Sequence, residues 1–226
     1  MPSFSAELVA RTDVSPRVVG MTFQASAPLV RAAGQYVMLT LDEGSTHAFS
    51  VASPFEPDRP GRFEIAVARG TSAGAVLELE LGSVVSVTGP SGSLVWKADA
   101  PALLVATGAG ISPLRALVHE QLARASSTPL ALLFGCRDTE EELWGAEFSK
   151  LAVEQARFRF WPTHSQPSPG YTERIGRVQA YLPELVQDLG PNLRAYLCGH
   201  TPMVRDCTTI LLDLGVLAEH IHGESY

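Results

Sequence analysis

The sequence has few cysteines, no long apolar run and fewer basic than acidic residues, and each shortage excludes a class of protein. Its three cysteines, Cys136, Cys198 and Cys207, have no Cys-x-x-Cys spacing, so neither an iron–sulfur cluster nor a structural zinc is expected. The longest apolar runs, such as residues 102–106, are far shorter than the ~20 residues that a membrane-spanning helix requires. The first residues do not form a secretory signal, which predicts a cytoplasmic location.

The shortage of basic residues argues against nucleic acid as a partner. The chain has 17 Lys and Arg against 24 Asp and Glu, a formal net charge of −7. Binding to a phosphate backbone needs a basic surface, so nucleic acid is not expected as a partner. If a protein partner exists, a basic one is favoured.

Two further kinds of site are not expected. No Gly-x-Ser-x-Gly elbow is present, which argues against nucleophilic hydrolysis. His200, His220 and His222 lack acidic or thiol companions at ligand spacing, which argues against a metal site.

The sequence has two parts with different hydrophobic patterns. Up to about Trp96, short runs alternate apolar and polar residues between Gly and Pro turns, which predicts an antiparallel β-sandwich or barrel. The expected strands are Ala6–Val9, Val18–Phe23, Tyr36–Leu41, Phe63–Ala68 and Val84–Thr88, with one helix near Ala73–Leu79.

After Lys97 the pattern becomes strand, helix, strand, helix, which is typical of a parallel sheet with helices on both faces. The expected strands are Leu103–Ala106, Leu130–Phe134, Phe158–Trp161 and Ala195–Cys198, and residues 163–170 are expected to form an exposed loop. We therefore expect two domains, residues 1–97 and 98–226.

Glycine-rich turns supply the first candidate binding residues. One such turn lies between an expected buried strand and an amphipathic helix and has the sequence Thr107-Gly108-Ala109-Gly110-Ile111-Ser112-Pro113. Glycines there let the backbone approach a phosphate, and the amides at the helix N-terminus attract its negative charge. The segment Thr71-Ser72-Ala73-Gly74 opens the short helix of the first half and has the same potential.

Together these segments resemble the ferredoxin-NADP reductase family over essentially the whole chain. Gly108, Gly110, Ile111 and Pro113 are in register with the family's Gly-Thr-Gly-Ile-Ala-Pro nucleotide loop. Residues 198–203 match its Cys-Gly-x-x-x-Met segment, and the chain ends in its Glu-x-aromatic arrangement.

A third segment, His47-Ala48-Phe49-Ser50, resembles the family's flavin motif Arg-x-Tyr-Ser. The resemblance implies that Phe49 stacks on the flavin and that Ser50 hydrogen-bonds near its reactive nitrogen. His47 departs from the pattern, because imidazole is mostly neutral at pH 7 and lacks the bidentate fork of arginine.

The resemblance also implies the roles of the remaining residues. Cys198, with Gly199 and Met203 beside it, would lie at the nicotinamide, and Tyr226 would cover the flavin with Glu224 nearby. The flavin phosphate would lie at Thr71, Ser72 and Gly74, and the dinucleotide's pyrophosphate at residues 107–113.

Coenzyme preference is expected to depend on the segments after the second and third strands of the parallel sheet. Ser165 and Gln166 stand where the family has a Ser-Arg pair that grips the 2′-phosphate of NADP, and a neutral amide is a poor partner for phosphate. We therefore expect NADH, with Arg137, Arg174 and Arg177 as cations able to support NADPH.

The resemblance implies that the protein is a flavin-dependent NAD(P)H oxidoreductase. FAD is favoured over FMN only because the family usually binds FAD. The protein's electron acceptor would be another protein, a quinone or a small molecule. Two alternatives stay open: a nucleotide-sensing module in which His47 has removed productive flavin binding, and a subunit that works only within a larger electron-transfer complex.

Overall fold

The computed structural model describes residues 2–226, and its first half is a six-stranded antiparallel barrel. The strands are β1 (Ser3–Ser15), β2 (Val18–Ala25), β3 (Tyr36–Thr40), β4 (Thr46–Ser50), β5 (Arg62–Ala68) and β6 (Val84–Ser91). They lie in the order β4-β3-β6-β1-β2-β5. An antiparallel bridge between Val51 and Ile65 joins the two outer strands and closes the sheet.

Strict alternation of side chains forms the barrel core. On β3, Val37 and Leu39 are fully buried, whereas Tyr36, Met38 and Thr40 are only partly covered. Successive side chains of a strand point to opposite faces, so one apolar face fills the interior and the other remains free for a ligand or a neighbouring domain.

The second half contains a five-stranded parallel sheet. Its strands are β7 (Ala102–Thr107), β8 (Leu130–Cys136), β9 (Phe158–His164), β10 (Arg194–Gly199) and β11 (Ile221–Ser225), in the order β11-β10-β7-β8-β9. The helices are α1 (Ile111–Leu122), α2 (Gly145–Glu154), α3 (Leu182–Leu189) and α4 (Thr201–Asp213). Five 3₁₀ segments are Ser72–Glu78, Gly108–Gly110, Thr139–Glu141, Val178–Tyr181 and Ala218–His220.

Both faces of this sheet are covered, which explains its continuous apolar strands. Leu104 and Leu132 belong to the cluster under α1 and α2, while Leu103 and Leu133 belong to the cluster under α3 and α4. Parallel strands buried on both sides read as unbroken hydrophobic runs. The predicted fold class, a barrel followed by a parallel-sheet α/β unit, is therefore confirmed.

The structure corrects three details of the expected elements. Residues 163 and 164 are not exposed loop, because both are fully buried at the end of β9, where they pair with the end of β8. β4 was absent from the expected set of strands. β11 was absent too, and it makes the C-terminus an ordered edge strand rather than a frayed end.

The connection between the two sheets runs from Ser91 to Ala102. Within it, the ring of Trp96 stacks on Tyr196 of β10 at 5.1 Å, and the Lys97 amide donates to the Tyr196 hydroxyl at 3.0 Å. We propose that the domain division at residues 97 and 98 falls in this segment. None of the helices in residues 2–226 is long and apolar enough to cross a membrane.

An ion network on α1 ties the barrel to the α/β unit. Arg115 donates to both carboxylate oxygens of Glu147 at 2.7 and 2.9 Å, and to Glu64 of the barrel at 2.8 Å. His119 meets the same Glu147 carboxylate at 2.6 Å. Burial alone would raise the pKa of Glu147, but the hydrogen bonds from His119 and Arg115 outweigh it and lower that pKa to about 2.

Acid should therefore weaken the fold through Glu147. Because the pKa is depressed in the folded state, the stabilisation is complete above the unfolded value of 4.5 and is lost as pH falls towards 2. In the wild type, the free energy of unfolding should fall with acidification, and Glu147→Gln should make this fall smaller by about 2 kcal/mol, after allowance for solvent screening. The measurement is urea unfolding between pH 3 and pH 6.

The matched control is Glu154→Gln, which alters an exposed carboxylate on the same helix. Its pH profile should follow that of the wild type. An unchanged profile in Glu147→Gln would contradict the assignment.

Candidate active site

The glycine turn after β7 is held against the end of β10. A Cβ added to Gly110 would lie 2.3 Å from the carbonyl oxygen of Cys198 and 2.7 Å from Cα of Gly199. Both atoms are backbone and cannot swing aside, so only glycine permits this approach. Gly199 has φ +151°, and its own Cβ would lie 2.3 Å from Oγ1 of Thr107.

Cys198 is the last residue but one of β10 and lies beside this turn. The thiol is 4% exposed, and burial, followed by the charge of Glu224, raises the pKa of Cys198 to about 12. It is therefore a neutral thiol at pH 7. Met203, on the first turn of α4, is buried in the cluster beneath the same strand.

Glu224 and Tyr226 border the site from the edge strand β11 and the residue that follows it. Glu224 lies opposite Cys198 in the parallel register, and its Oε1 accepts from the amides of Ser93 and Leu94 at 3.1 and 3.3 Å. Its carboxylate thus ties β11 to the loop that follows the barrel. Because Ser93 and Leu94 follow the last strand of the barrel closely, this contact holds β11 next to the end of the barrel.

Tyr226 lies over the glycine turn. The Gly110 amide donates to its hydroxyl at 3.1 Å, and that hydroxyl donates to the Thr107 carbonyl at 3.0 Å. The residue is nevertheless 58% exposed, so the hydroxyl is anchored while much of the ring faces open space. Its ring centroid is 5.3 Å from that of His200.

A cavity of about 540 Å³, which we call the barrel cavity, opens between the barrel and the α/β unit. Three parts of the chain form its wall: the outer face of the barrel, the start of the 3₁₀ segment Ser72–Glu78, and the ends of β10 and β11 with the glycine turn. The lining residues are Tyr36, Ala48, Phe49, Ser50, Ala66, Ala68, Thr71, Ser72, Ala73, Ala109, Gly110, Ser112, Cys198, Glu224, Ser225 and Tyr226.

A second cavity of about 510 Å³, the sheet-edge cavity, lies at the carboxyl ends of the parallel strands. Among its lining residues are Arg17, Arg69, Thr107, Gly108, Cys136, Arg137, Glu141, Ser165, Arg177, His200, Met203 and Asp206. Ala68, Thr71, Ala109 and Tyr226 line both cavities. Ligands of open α/β sheets bind at this edge, so the two cavities form one continuous candidate site.

The structure brings most of the expected site residues to these cavities. His47, Gly74, Pro113 and Gly199 line neither of the two. The ring of His47 lies 6.4 Å from that of Phe49 on the same strand. Phe49 touches the barrel cavity but is only 7% exposed and belongs to the barrel core.

The coenzyme cations separate into two groups. Arg137 and Arg177 line the sheet-edge cavity, whereas Arg174 does not, and its guanidinium stacks on the ring of Trp161 at 4.1 Å. The Ser165 hydroxyl lies at that cavity and donates to the carbonyl of Cys136 at 3.2 Å.

Sequence reasoning missed several lining residues. Tyr36 begins β3 directly after Gly34-Gln35 and pairs with Ser50 of β4. The alternation of this strand places Tyr36 on the face opposite Val37, and that alternation is visible in the sequence. The Ser112 hydroxyl is 3% exposed and has no hydrogen-bond partner within residues 2–226. Arg17 reaches the cavity from the turn between β1 and β2, and nothing in its local sequence indicates this.

Comparison with known proteins gives consistent matches. Residues 104–209 match the family model of the oxidoreductase NAD-binding domain. Ferredoxin–NADP reductase B of Sorangium cellulosum is 34% identical over 99% of this chain and 97% of its own length. The phenol hydroxylase P5 protein of Acinetobacter pittii is 26% identical over 99% of this chain, which spans 65% of that relative.

Solved structures agree with this assignment. The cytochrome P450 reductase GcoB of Amycolatopsis superposes with a TM-score of 0.87 at 25% identity, over 99% of this chain and 69% of its own. A ferredoxin NADP⁺ reductase from Neisseria gonorrhoeae, solved with FAD and NADP, gives a TM-score of 0.83 at 19% identity over 100% of this chain and 99% of its own. This chain therefore belongs to the ferredoxin-NADP reductase family of flavin-dependent oxidoreductases.

Proposed function

We propose that this chain transfers a hydride from NADH to FAD held in the barrel cavity, and that the electrons then pass to a separate redox protein. The observation that carries the proposal is the meeting of the two cavities at Tyr226. A dinucleotide in the sheet-edge cavity and a flavin in the barrel cavity would meet at this boundary, where Tyr226 is the one aromatic side chain among the four residues that line both cavities. Bound FAD takes up two electrons as a hydride and can release them one at a time.

The residues of the barrel cavity fit a flavin. Ser112 offers a buried hydroxyl that has no partner in the described part of the chain, and buried polar groups normally have one, so a polar ligand atom here would satisfy it. Tyr36 and Ser50, paired across β3 and β4, supply an aromatic surface and a second hydroxyl. A cavity of this size with a few convergent polar groups is typical of cofactor sites.

The chain's own residues orient the reaction rather than take part covalently. Cys198 is neutral, so it provides a soft, uncharged surface at the end of β10 where the nicotinamide would lie. Glu224 is held by Ser93 and Leu94, so its carboxylate fixes the distance between barrel and α/β unit. Tyr226 excludes water from the glycine turn until the coenzyme enters.

Tyr36 should contribute more to flavin affinity than Phe49, because Phe49 is buried in the barrel core. We expect Tyr36→Leu to weaken FAD binding about tenfold, as loss of a stacking aromatic does. Phe49→Leu should lower the melting temperature, because the smaller side chain leaves part of the barrel core unfilled, and should leave FAD affinity within about twofold, because Phe49 is only 7% exposed. FAD titration of the apoprotein by fluorescence quenching measures both, and a larger affinity loss in Phe49→Leu would contradict the assignment.

The charges of the sheet-edge cavity support NADH as the coenzyme. Glu141 pairs with Arg17 at 2.9 Å and with Arg137 at 3.7 Å, so one carboxylate occupies two cations that line the cavity. A 2′-phosphate would compete with that carboxylate and be repelled by it. Gln166, the residue aligned with the phosphate-gripping arginine, lies outside the described lining of this cavity.

Removing the charge of Glu141 should shift the preference towards NADPH. We expect Glu141→Gln to raise kcat/KM for NADPH about fivefold at low ionic strength and to leave that for NADH nearly unchanged. The gain should shrink with added salt, because both ion pairs are partly exposed. Glu140→Gln, which changes an exposed neighbouring carboxylate, is the control, and an equal gain in both variants would argue against a specific role.

A further inference from the structure

A cluster of three metal-ligating side chains lies at the carboxyl ends of β8 and β9. Cys136 is the last residue of β8, His164 is the last residue of β9, and the two are directly paired in the parallel register. Side chains paired in this way project from the same face of a sheet. Glu142, just after the 3₁₀ segment Thr139–Glu141, completes the cluster.

The distances in this cluster suit one small cation. The thiol sulfur, a ring nitrogen of His164 and a carboxylate oxygen of Glu142 all lie within 4.8 Å of one another. Ligand atoms bound about 2.0–2.3 Å from a tetrahedral zinc are separated by about 3.3–3.8 Å, so only small side-chain movements are needed. Cys136 also lines the sheet-edge cavity, which leaves a position open to water.

His164 is oriented towards the carboxylate of the cluster. It is fully buried, and its Nε2 meets Glu142 Oε1 at 2.5 Å. In the metal-bound state Nε2 would be the coordinating nitrogen, and the ring proton would lie on Nδ1, which has no partner within residues 2–226. The ring of Tyr171 packs against that of His164 with the centroids 3.9 Å apart and restricts its movement.

The surroundings of the cluster are acidic. Besides Glu142, Asp138 and Glu141 lie near the thiol, and burial together with these carboxylates raises the pKa of Cys136 to about 12. The same negative potential that disfavours a thiolate alone attracts a divalent cation.

Gly145 makes room for the carboxylate. A Cβ at that position would lie 2.5 Å from Oε2 of Glu142, so glycine leaves the side chain free to adopt this position.

We propose that Cys136, His164 and Glu142 form a binding site for Zn²⁺ with an open position towards the sheet-edge cavity. A thiolate, an imidazole and a carboxylate are the ligands that zinc accepts, and three protein ligands with one open position are typical of accessible zinc sites. The spacing of the cysteines gives no sign of such a site, because only the register of β8 and β9 brings the three residues together. The proposal is independent of the flavin and coenzyme assignments.

Cobalt provides the test, because Co²⁺ replaces zinc in such sites and a bound thiolate gives a sulfur-to-metal charge-transfer absorption. The whole protein, as purified and freed of metal with a chelator, is titrated with Co²⁺, and difference spectra are recorded against the protein without cobalt. We expect one equivalent to produce this absorption and Zn²⁺ to abolish it by displacement. Cys207→Ser, which alters a buried thiol in the cluster under α3 and α4, should behave as wild type.

Cys136→Ser should lose the absorption, and Glu142→Gln, which keeps the shape of the side chain, should weaken Zn²⁺ binding at least about tenfold in calorimetry. Melting curves identify any variant that fails to fold. If Cys136→Ser fails to fold, Glu142→Gln provides the test. An undiminished absorption in Cys136→Ser, or no thiolate absorption in the wild type at millimolar Co²⁺, would overturn the proposal. Binding of equal strength in Glu142→Gln would do the same.

Discussion

Gly110→Ala should lower kcat/KM for NADH by about 100-fold, because displacing a binding element by about 1 Å has an effect of that size. The added methyl group would overlap backbone atoms of Cys198 and Gly199, so the glycine turn has to move away from β10. That movement also breaks the hydrogen bond between the Gly110 amide and Tyr226. Steady-state kinetics with NADH and an artificial one-electron acceptor measures the effect.

The matched control is Gly223→Ala on β11, where the added Cβ would lie 3.0 Å from Cγ1 of Val204 and 3.8 Å from two atoms of Leu197. Only the contact with Val204 is tight, and a shift of a few tenths of an ångström relieves it, so we expect a change in kcat/KM below about threefold, as for most surface substitutions. If Gly110→Ala retained activity close to that of this control, the close approach of the turn to β10 would have no role in coenzyme binding.

Removal of the Tyr226 ring should tighten the binding of nicotinamide dinucleotides. The ring lies between the two cavities, so a coenzyme that reaches the flavin has to displace it and break its hydrogen bonds to Gly110 and Thr107. Each bond contributes about 1 kcal/mol, so loss of the two bonds alone should lower the Kd for NAD⁺ by about 30-fold, and Tyr226→Ser, which also removes the ring, should lower it further. Equilibrium titration with NAD⁺, followed by flavin difference absorbance, gives the value.

Tyr226→Phe separates the two contributions of this residue. It keeps the ring but loses both hydrogen bonds, so its Kd should lie between those of the wild type and Tyr226→Ser. Unchanged NAD⁺ binding in Tyr226→Ser would show that the ring does not compete with the coenzyme.

The fold could be predicted from local pattern because its signals are local. Alternation on β3, continuous apolar strands such as Leu130–Cys136 and the glycine turn before α1 each depend on neighbouring residues in the chain. An alternation of apolar and polar residues, or a run of apolar residues, can be recognised within about ten consecutive residues. The division into a barrel and an α/β unit follows from the change between these patterns.

The parts of the site that sequence did not reveal are contacts between distant segments. Arg17 meets Glu141 across the two units, and Glu224 reaches the loop after β6. Cys136 and His164 come together only through the register of two parallel strands. No periodicity specifies such pairs, because they depend on how complete elements pack.

Phe49 illustrates a different limit. The motif around it indicates an aromatic at the flavin, and the strand indeed borders the barrel cavity. Alternation nevertheless turns its side chain towards the barrel core, while Tyr36 on the neighbouring strand faces the cavity. The flavin contact of Phe49 stays a prediction, and Tyr36 on the neighbouring strand presents the more exposed aromatic ring to the barrel cavity.

The central claim is that NADH reduces a flavin bound by this chain, and anaerobic stopped-flow spectroscopy of the purified protein tests it most directly. The account predicts flavin absorption bands in the protein as isolated or after addition of FAD, and bleaching by NADH that is faster than bleaching by NADPH. A protein that stays colourless after incubation with FAD, or whose flavin bands persist in excess NADH, would contradict it.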